Sequence, residues 1–315
     1  MPEFQDPDIF YVVLDSLPTG VCLLGRDLRI HFWNQGAEEI TGYMRHEVVG
    51  RLSRENVLAQ CNDQGCILCG ASCPFAASMH DGKPREARIQ LRHKQGHQIP
   101  VRMQIAPIRD QYGALLGIAE NFDAQKLALD RDRRQYNLAA YGCVDEVTEI
   151  PNHNFTQFHL QENLARFAQY HLPFGIVLIQ VDQLERFRAV YGRQAGDAIL
   201  HVVAQTMRNV LRPSDFLGRW EEHQFLAILM NCASQEVEGA GQRTRKVVSC
   251  AGLRWWGDQL SVTTSVGYAT AQPGDTADSL LERARQSVSE PSGLSAPAEP
   301  VGGAAAAAAG AGSER

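Results

Sequence analysis

The sequence predicts an α+β chain of two domains, and three observations lead there. The chain has 315 residues, 44% hydrophobic and 21% charged, which is more than one compact core ordinarily serves. Its first 124 residues hold five apolar, strand-like runs, two before and three after a helical and loop region, with glycines at the turns. Its second half mixes helical periodicity with short apolar runs of the buried-strand kind.

Phe10, Val13, Leu14 and Leu17 fall at i, i+3, i+4 and i+7, a short amphipathic helix stopped by Pro18. Val21 to Leu24 and Leu28 to Trp33 read as strands joined by the turn Gly25-Arg26-Asp27. Further strands are predicted over 86–93, 98–107 and 114–122, with Gly96 and Gly113 at their hairpins. Two strands, a helical stretch over 35–83, then three antiparallel strands make a five-stranded antiparallel sheet with a helical face. This first domain spans 8–124. Residues 125–143 are charged, free of Pro and rich in helix formers, a connecting helix. Its seam of Leu127, Leu138 and Tyr141 is sparse for a coiled coil, so a coupling element and a solvated single helix are both open.

The second domain, 144–289, opens near Asp145. Phe155, Phe158, Leu164 and Phe167 mark a helix, Phe174 to Val181 a buried strand, and Ile199, Val203, Met207 and Val210 a second helix. Two strands then flank the polar stretch Gly218 to Phe225, and a tight hairpin there ordinarily wants Gly, Asn or Asp at its tip. This one has Glu221 and Glu222. Val262, Thr264, Val266 and Tyr268 alternate as a strand, and Leu280, Leu281, Ala284 and Val288 form a closing helix. Residues 290–315 are mostly Ser, Pro, Gly and Ala, a tail expected to be disordered.

A net charge of -6 and the absence of any Lys/Arg block argue against nucleic acid or an anionic membrane as the main partner. The first residues lack a basic flank before an apolar core, and no stretch approaches eighteen apolar residues, so a cytoplasmic protein is expected. Eight cysteines are then expected as thiols, metal ligands or redox groups. Cys22, Cys143, Cys232 and Cys250 sit among apolar neighbours and read as small core residues. The other four, Cys61, Cys66, Cys69 and Cys73, crowd into 61–73 as C-x4-C-x2-C-x3-C-P. Thiolates so spaced can converge on one zinc ion or an iron–sulfur cluster; a thiol–disulfide switch and unliganded cysteines are the alternatives.

Several anchors in one order give the second domain a resemblance to the GGDEF family of diguanylate cyclases, which join two GTP molecules into cyclic di-GMP. They are Asp145-x-x-Thr148-x-x-Pro151-Asn152, Tyr191-Gly192-x-x-x-Gly196-Asp197 and Ser265-Val266-Gly267. The resemblance implies an α/β domain with a central mixed sheet between helices. It places Glu221, Glu222, His223, Gln224 and Phe225 on the signature hairpin, whose paired glycines let backbone approach a triphosphate and whose carboxylate holds Mg²⁺. Glutamates at the glycine positions are expected to strain an αL turn by about 1–2 kcal/mol and to face the phosphates uncompensated. His223 replaces one metal carboxylate and Gln180 the other, so Mg²⁺ is not expected to bind. Arg188 replaces the guanine-contacting Asn, while Asp182 and Asp197 survive as residual nucleotide-site aspartates. The phosphate-clamping Ala-Lys pair of the last helix is missing from 283–289. Arg212-Pro213-Ser214-Asp215 stands where the family carries its Arg-x-x-Asp effector site for cyclic di-GMP, with a surface ion pair as the plain alternative.

The first domain resembles the PAS sensory family through Leu17-Pro18-x-Gly20-Val21, Trp33-Asn34-x-x-Ala37, Thr41-Gly42-Tyr43 and Glu47-Val48-Val49-Gly50-Arg51. Ser53 stands where the photoreactive flavin subclass has its cysteine. Together the resemblances imply a signalling protein with a PAS input and a catalytically degenerate cyclase domain, acting as a homodimer through the connecting helix or the PAS domain on an unknown downstream protein. An active diguanylate cyclase and a purely structural dimerisation module are the competing readings.

Overall fold

The computed structural model describes residues 7–53, 60–62, 68, 73–124, 138–139 and 141–288. The connecting helix falls largely outside the described residues, as do Cys66, Cys69 and the C-terminal tail.

The first domain opens with helix α1 (Pro7–Asp15) and strands β1 (Gly20–Gly25) and β2 (Ile30–Trp33). Helices α2 (Gln35–Thr41) and α3 (Arg45–Val48), the two-residue strand β3 (Gln60–Cys61) and α4 (Pro74–Asp81) follow. Strands β4 (Arg85–Arg92), β5 (Gln98–Arg109) and β6 (Leu115–Ala124) close the domain. The sheet order is β2-β1-β6-β5-β4-β3 with every pairing antiparallel, so the five expected strands are present with β3 added at one edge.

Asn34 explains how the chain turns from strand to helix. Its buried side chain accepts from the amides of Val21 at 2.7 Å and Ala37 at 2.9 Å, and donates to the carbonyls of Leu14 and Thr19, both at 2.9 Å. One amide thus caps α2 and ties the first strand to the end of α1. The apolar stripe expected on α1 does not pack inward. Phe10 and Val13 are 63% and 51% exposed, because the helix is held through polar contacts instead: Arg45 pairs with Asp15, donates to Tyr11 Oη at 2.5 Å, and reaches the Trp33 carbonyl at 2.7 Å.

Among the described residues, one acid lies in the core of this domain. Glu120 on β6 lies opposite Cys22 on β1 and Ile105 on β5, fully buried, and neither carboxyl oxygen has a hydrogen-bond partner among the described residues. Burial pushes its pKa up to about 8. Burial, and then the nearby Glu120 charge, also raises the Cys22 thiol.

The second domain is built on β7 (Phe174–Val181), β8 (Phe216–Glu221), β9 (Gln224–Met230) and β12 (Thr264–Thr270) in the order β12-β7-β9-β8. Helices α6 (Leu184–Tyr191) and α7 (Arg193–Val210) cross from β7 to β8, and α8 (Ser234–Cys250) follows β9. Helices α5 (His153–Tyr170) and α9 (Ala277–Gln286) stand on the opposite face. Alternation along β7 sorts the two cores: Val177, Ile179 and Val181 face the cluster containing Ile199, Val203 and Met207, whereas Phe174, Ile176 and Leu178 face Leu160, Leu280 and Leu281. The α/β architecture is the expected one, but its sheet is not mixed in its pairings, which are all antiparallel. The crossover does bring β8 back parallel to β7, and β9 is inserted between them. The α5 phase also differs from expectation: Thr156, Leu160 and Asn163 are its buried residues, and Phe158 is 60% exposed. A hairpin of β10 (Gly252–Trp255) and β11 (Asp258–Ser261) has no counterpart in the sequence reading.

The two domains meet at Gln98, the first residue of β5, which is 1% exposed. Its backbone N–H donates to Thr206 Oγ1 at 3.2 Å and its carbonyl accepts from Asn209 Nδ2 at 2.8 Å, both on α7. Its side-chain Nε2 donates to the Cys250 carbonyl at 2.7 Å, and Arg92 Nη2 donates to the same carbonyl at 2.7 Å. The Gly252 amide donates across the junction to the Gly96 carbonyl at 3.2 Å.

Candidate functional site

The hairpin between β8 and β9 is the focal point, since sequence reasoning places altered chemistry there. Glu222 and His223 form its two-residue tip, and the register shifts between Arg219 and Glu221. That irregularity accommodates the tip without left-handed backbone. Among the described residues with positive φ, none belongs to the segment 218–225, so the αL strain expected of the two glutamates is absent.

Nor are the glutamates uncompensated. Glu222 pairs with Arg188 on α6, and the Arg188 guanidinium holds its carboxyl below its ordinary value. Arg188 also reaches Glu185 at 3.1 Å and Asp197 at 3.5 Å. Asp197 is shared with Arg193 at 3.7 Å. Glu221 lies 3.5 Å from Arg285 on α9. Arg219, 9% exposed, stacks over the Phe225 ring at 5.3 Å, donates through Nε to the Glu221 carbonyl at 2.9 Å and bonds the Glu222 carbonyl. Sequence reasoning treated the substitutions one by one and missed these pairings. The missed signal was that the new carboxylates and the new Arg188 are complementary in sign.

The end of β7 is where resemblance to the family expects one of the two metal carboxylates. Gln180 lies between Ser265 on β12 and Gln224 on β9 by strand register. Gln224 Nε2 donates to Gln180 Oε1 at 3.2 Å, so two neutral amides bridge the strands. His223 contributes its carbonyl, which accepts from the Val181 amide at 2.9 Å. Asp182 Oδ1 accepts from Ser265 Oγ at 2.8 Å, and its buried Oδ2 has no hydrogen-bond partner among the described residues. One carboxylate oxygen among neutral amides does not fit a pair of Mg²⁺ ions, which prefer octahedra of hard, mostly anionic oxygens.

A cleft of about 390 Å³ opens beside the hairpin, lined by residues that include Asp145, Asn152, His153, Arg219, Trp220 and Glu222. The Asp145 side chain accepts from the Thr148 amide at 2.9 Å and hydroxyl at 2.6 Å and lies 3.9 Å from Arg219, which fixes the entry segment against the hairpin.

Arg212 and Asp215 stand in a turn between α7 and β8. The Asp215 carboxylate accepts from the Arg212 amide at 3.0 Å, and the Asp215 amide donates to the Arg212 carbonyl at 3.0 Å. The turn holds the two residues at one place on the surface, with Arg212 exposed.

Of the cysteine cluster, Cys61 and Cys73 are described. Cys61 is 1% exposed and Cys73 precedes α4 as its N-cap residue. Among the described residues no group of three or more His, Cys, Asp or Glu side chains is placed to hold a metal. Cys61 contacts instead the junction: its thiol lies 4.0 Å from Gln98 Oε1 and hydrogen-bonds with the thiol of Cys250.

Comparison with known proteins matches residues 143–291 to the family described as "Diguanylate cyclase, GGDEF domain" and residues 18–122 to the PAS domain. The diguanylate cyclase DgcP of Pseudomonas aeruginosa is 25% identical over 157 residues, covering 50% of this chain and 23% of that protein. The probable diguanylate cyclase DgcE of Escherichia coli is 24% identical over 272 residues, covering 84% of this chain and 23% of that protein. The chain thus spans about a quarter of the length of these relatives. Among solved structures, the GGDEF domain of DgcB from Caulobacter crescentus in complex with c-di-GMP aligns with a TM-score of 0.44 and 25% identity, covering 46% of this chain and 84% of that one. Among the described residues, no helix is long and apolar enough to cross a membrane.

Proposed function

We propose that this chain, a PAS domain joined to a GGDEF domain, is a signalling protein whose GGDEF domain does not condense GTP and instead serves as a regulated binding module. The observation that supports the reading best is the bridge between Gln180 and Gln224, two neutral amides hydrogen-bonded to each other. Phosphoryl transfer of this kind depends on metal charge that neutralises the developing negative charge, and here Gln180, one partner of that bridge, and the neighbouring His223 stand where resemblance to the family expects the two metal carboxylates. The ion pairs of Arg188 and Arg285 with Glu222 and Glu221 support it further, since they use the cationic side chains of the hairpin mouth internally.

The ligand is cyclic di-GMP, taken at Arg212 and Asp215. A guanidinium fork can grip a phosphate or a guanine edge, and a carboxylate beside it can accept from guanine N–H groups. The exposed apolar face of α1, with Phe10, Val12 and Val13, is consistent with a homodimer formed through the PAS domain. The cysteine loop, if it binds zinc or an iron–sulfur cluster, does so through Cys61, Cys66, Cys69 and Cys73. The relatives named diguanylate cyclases make GTP condensation the competing reading. Calorimetric titration of the full chain with cyclic di-GMP tests the ligand assignment. Saturable binding that Arg212→Ala abolishes is the expected result, and no heat of binding in the unaltered chain would refute it.

A further inference from the structure

Cys61 and Cys250 are 189 residues apart in sequence, lie in different domains, and share one buried contact. Cys61 ends the edge strand β3, where it pairs with Gln90 on β4. Cys250 is the last residue of α8. The two thiols hydrogen-bond, and Gln98 ties the two residues together, accepting from the Cys61 thiol through Oε1 at 4.0 Å and donating to the Cys250 backbone carbonyl through Nε2 at 2.7 Å, while the Cys250 thiol also lies 3.6 Å from the Lys246 carbonyl, to which it donates. Arg92 holds that carbonyl from the other side, so a guanidinium stands next to Cys250. Their exposures are 1% and 8%, and both are reduced in this structure.

We infer that Cys61 and Cys250 form a redox-modification site, closing to an interdomain disulfide when a peroxide reaches the junction. Cys250, the more exposed of the two, attacks one oxygen of hydrogen peroxide as the thiolate and expels hydroxide, becoming a sulfenic acid. The Cys61 sulfur then attacks that sulfur, a disulfide bond forms, and the sulfenic oxygen leaves as water. Two thiols and one peroxide give one disulfide and two waters, with two electrons passing from sulfur to oxygen. The bond joins the strand that leads into the cysteine loop to the end of α8, so oxidation fixes the PAS domain on the GGDEF domain. It also withdraws Cys61 from any metal held by the loop.

The test is non-reducing peptide mapping of the full chain after hydrogen peroxide treatment, alkylation and tryptic digestion. Peptide 247–254, which carries Cys250, is expected to appear joined to peptide 55–85, and dithiothreitol should release it. Because peptide 55–85 holds four cysteines, a Cys66→Ser, Cys69→Ser, Cys73→Ser variant identifies the partner: the linked species persists in it and is lost in Cys61→Ser. Should Cys61→Ser fail to fold, the triple variant alone decides, since Cys61 is then the only cysteine left in that peptide. Oxidation of other thiols without the linked pair, or loss of the link in the triple variant, would overturn the assignment. This outcome is independent of nucleotide binding, so it does not stand or fall with the proposed ligand.

Discussion

Arg188 on α6 pairs with Glu222 at the tip of the β8–β9 hairpin and, at 3.5 Å, with Asp197 at the start of α7. One guanidinium therefore ties together three segments that would otherwise present carboxylates to each other. Arg188→Met is expected to lower the melting temperature, most at low ionic strength where unscreened repulsion is largest. The Glu222 carboxyl should also rise from its lowered pKa towards the usual carboxylate range. An NMR titration of the side-chain carboxyl checks this, and an unchanged Glu222 titration would show that the pair does not form in solution.

If missing metal carboxylates silence the site, restoring them should restore metal-dependent nucleotide binding. The combination Gln180→Asp, Glu221→Gly, Glu222→Gly and His223→Asp returns two carboxylates and a flexible tip. Mg²⁺-dependent binding of GTP is expected for the combination and not for Gln180→Asp alone, read by calorimetry. Absence of any gain in a folded combination variant would place the defect elsewhere.

Glu120 makes stability depend on pH. Its folded pKa of about 8 lies above the usual carboxylate value, so between roughly pH 4.5 and 8 the folded chain keeps a proton that the unfolded chain releases. Stability then falls as pH rises through that window, by about 1.4 kcal/mol per pH unit at most, and levels off above it. Glu120→Gln should remove this slope, raising the melting temperature at pH 8 with little change at pH 4.5. Thermal unfolding of both proteins across this range is the check, and parallel profiles would exclude a buried neutral Glu120.

Gln98→Ala deletes the side-chain bonds to Cys250 and Cys61 while keeping the backbone bonds to Thr206 and Asn209. A loss of about 1–3 kcal/mol is expected, the range for a hydrogen bond whose removal strands a buried partner. Because the loss falls at the junction, the two domains should unfold at more widely separated temperatures in calorimetry. A single unshifted transition would mean that the junction contributes nothing to stability.

Much of the fold was legible because it rests on periodicity. The apolar run Phe174 to Val181 and the helical spacing of Ile199, Val203 and Met207 are local patterns, and both proved to be core. Phe158 shows the limit: an aromatic residue at helical spacing on α5 is exposed because the buried phase of that helix runs through Thr156, Leu160 and Asn163. At the hairpin, the family resemblance marked which residues depart from the signature but not how they settle. The turn avoided left-handed backbone through a register shift, and the glutamates found Arg188 and Arg285, partners 34 and 64 residues distant. Contacts of that separation leave no periodic trace. The same holds for Gln98 and Cys250, which read as an ordinary strand residue and an ordinary core thiol until the two domains are brought together.

The most direct measurement is incubation of the purified full chain with GTP and Mg²⁺, followed by chromatography of the nucleotides. Unchanged GTP, with no cyclic di-GMP above a protein-free control, is the expected result. Cyclic di-GMP that accumulates with time and disappears in Asp182→Ala would contradict it, because it would mean that a site with one carboxylate still assembles the metals needed to join two nucleotides.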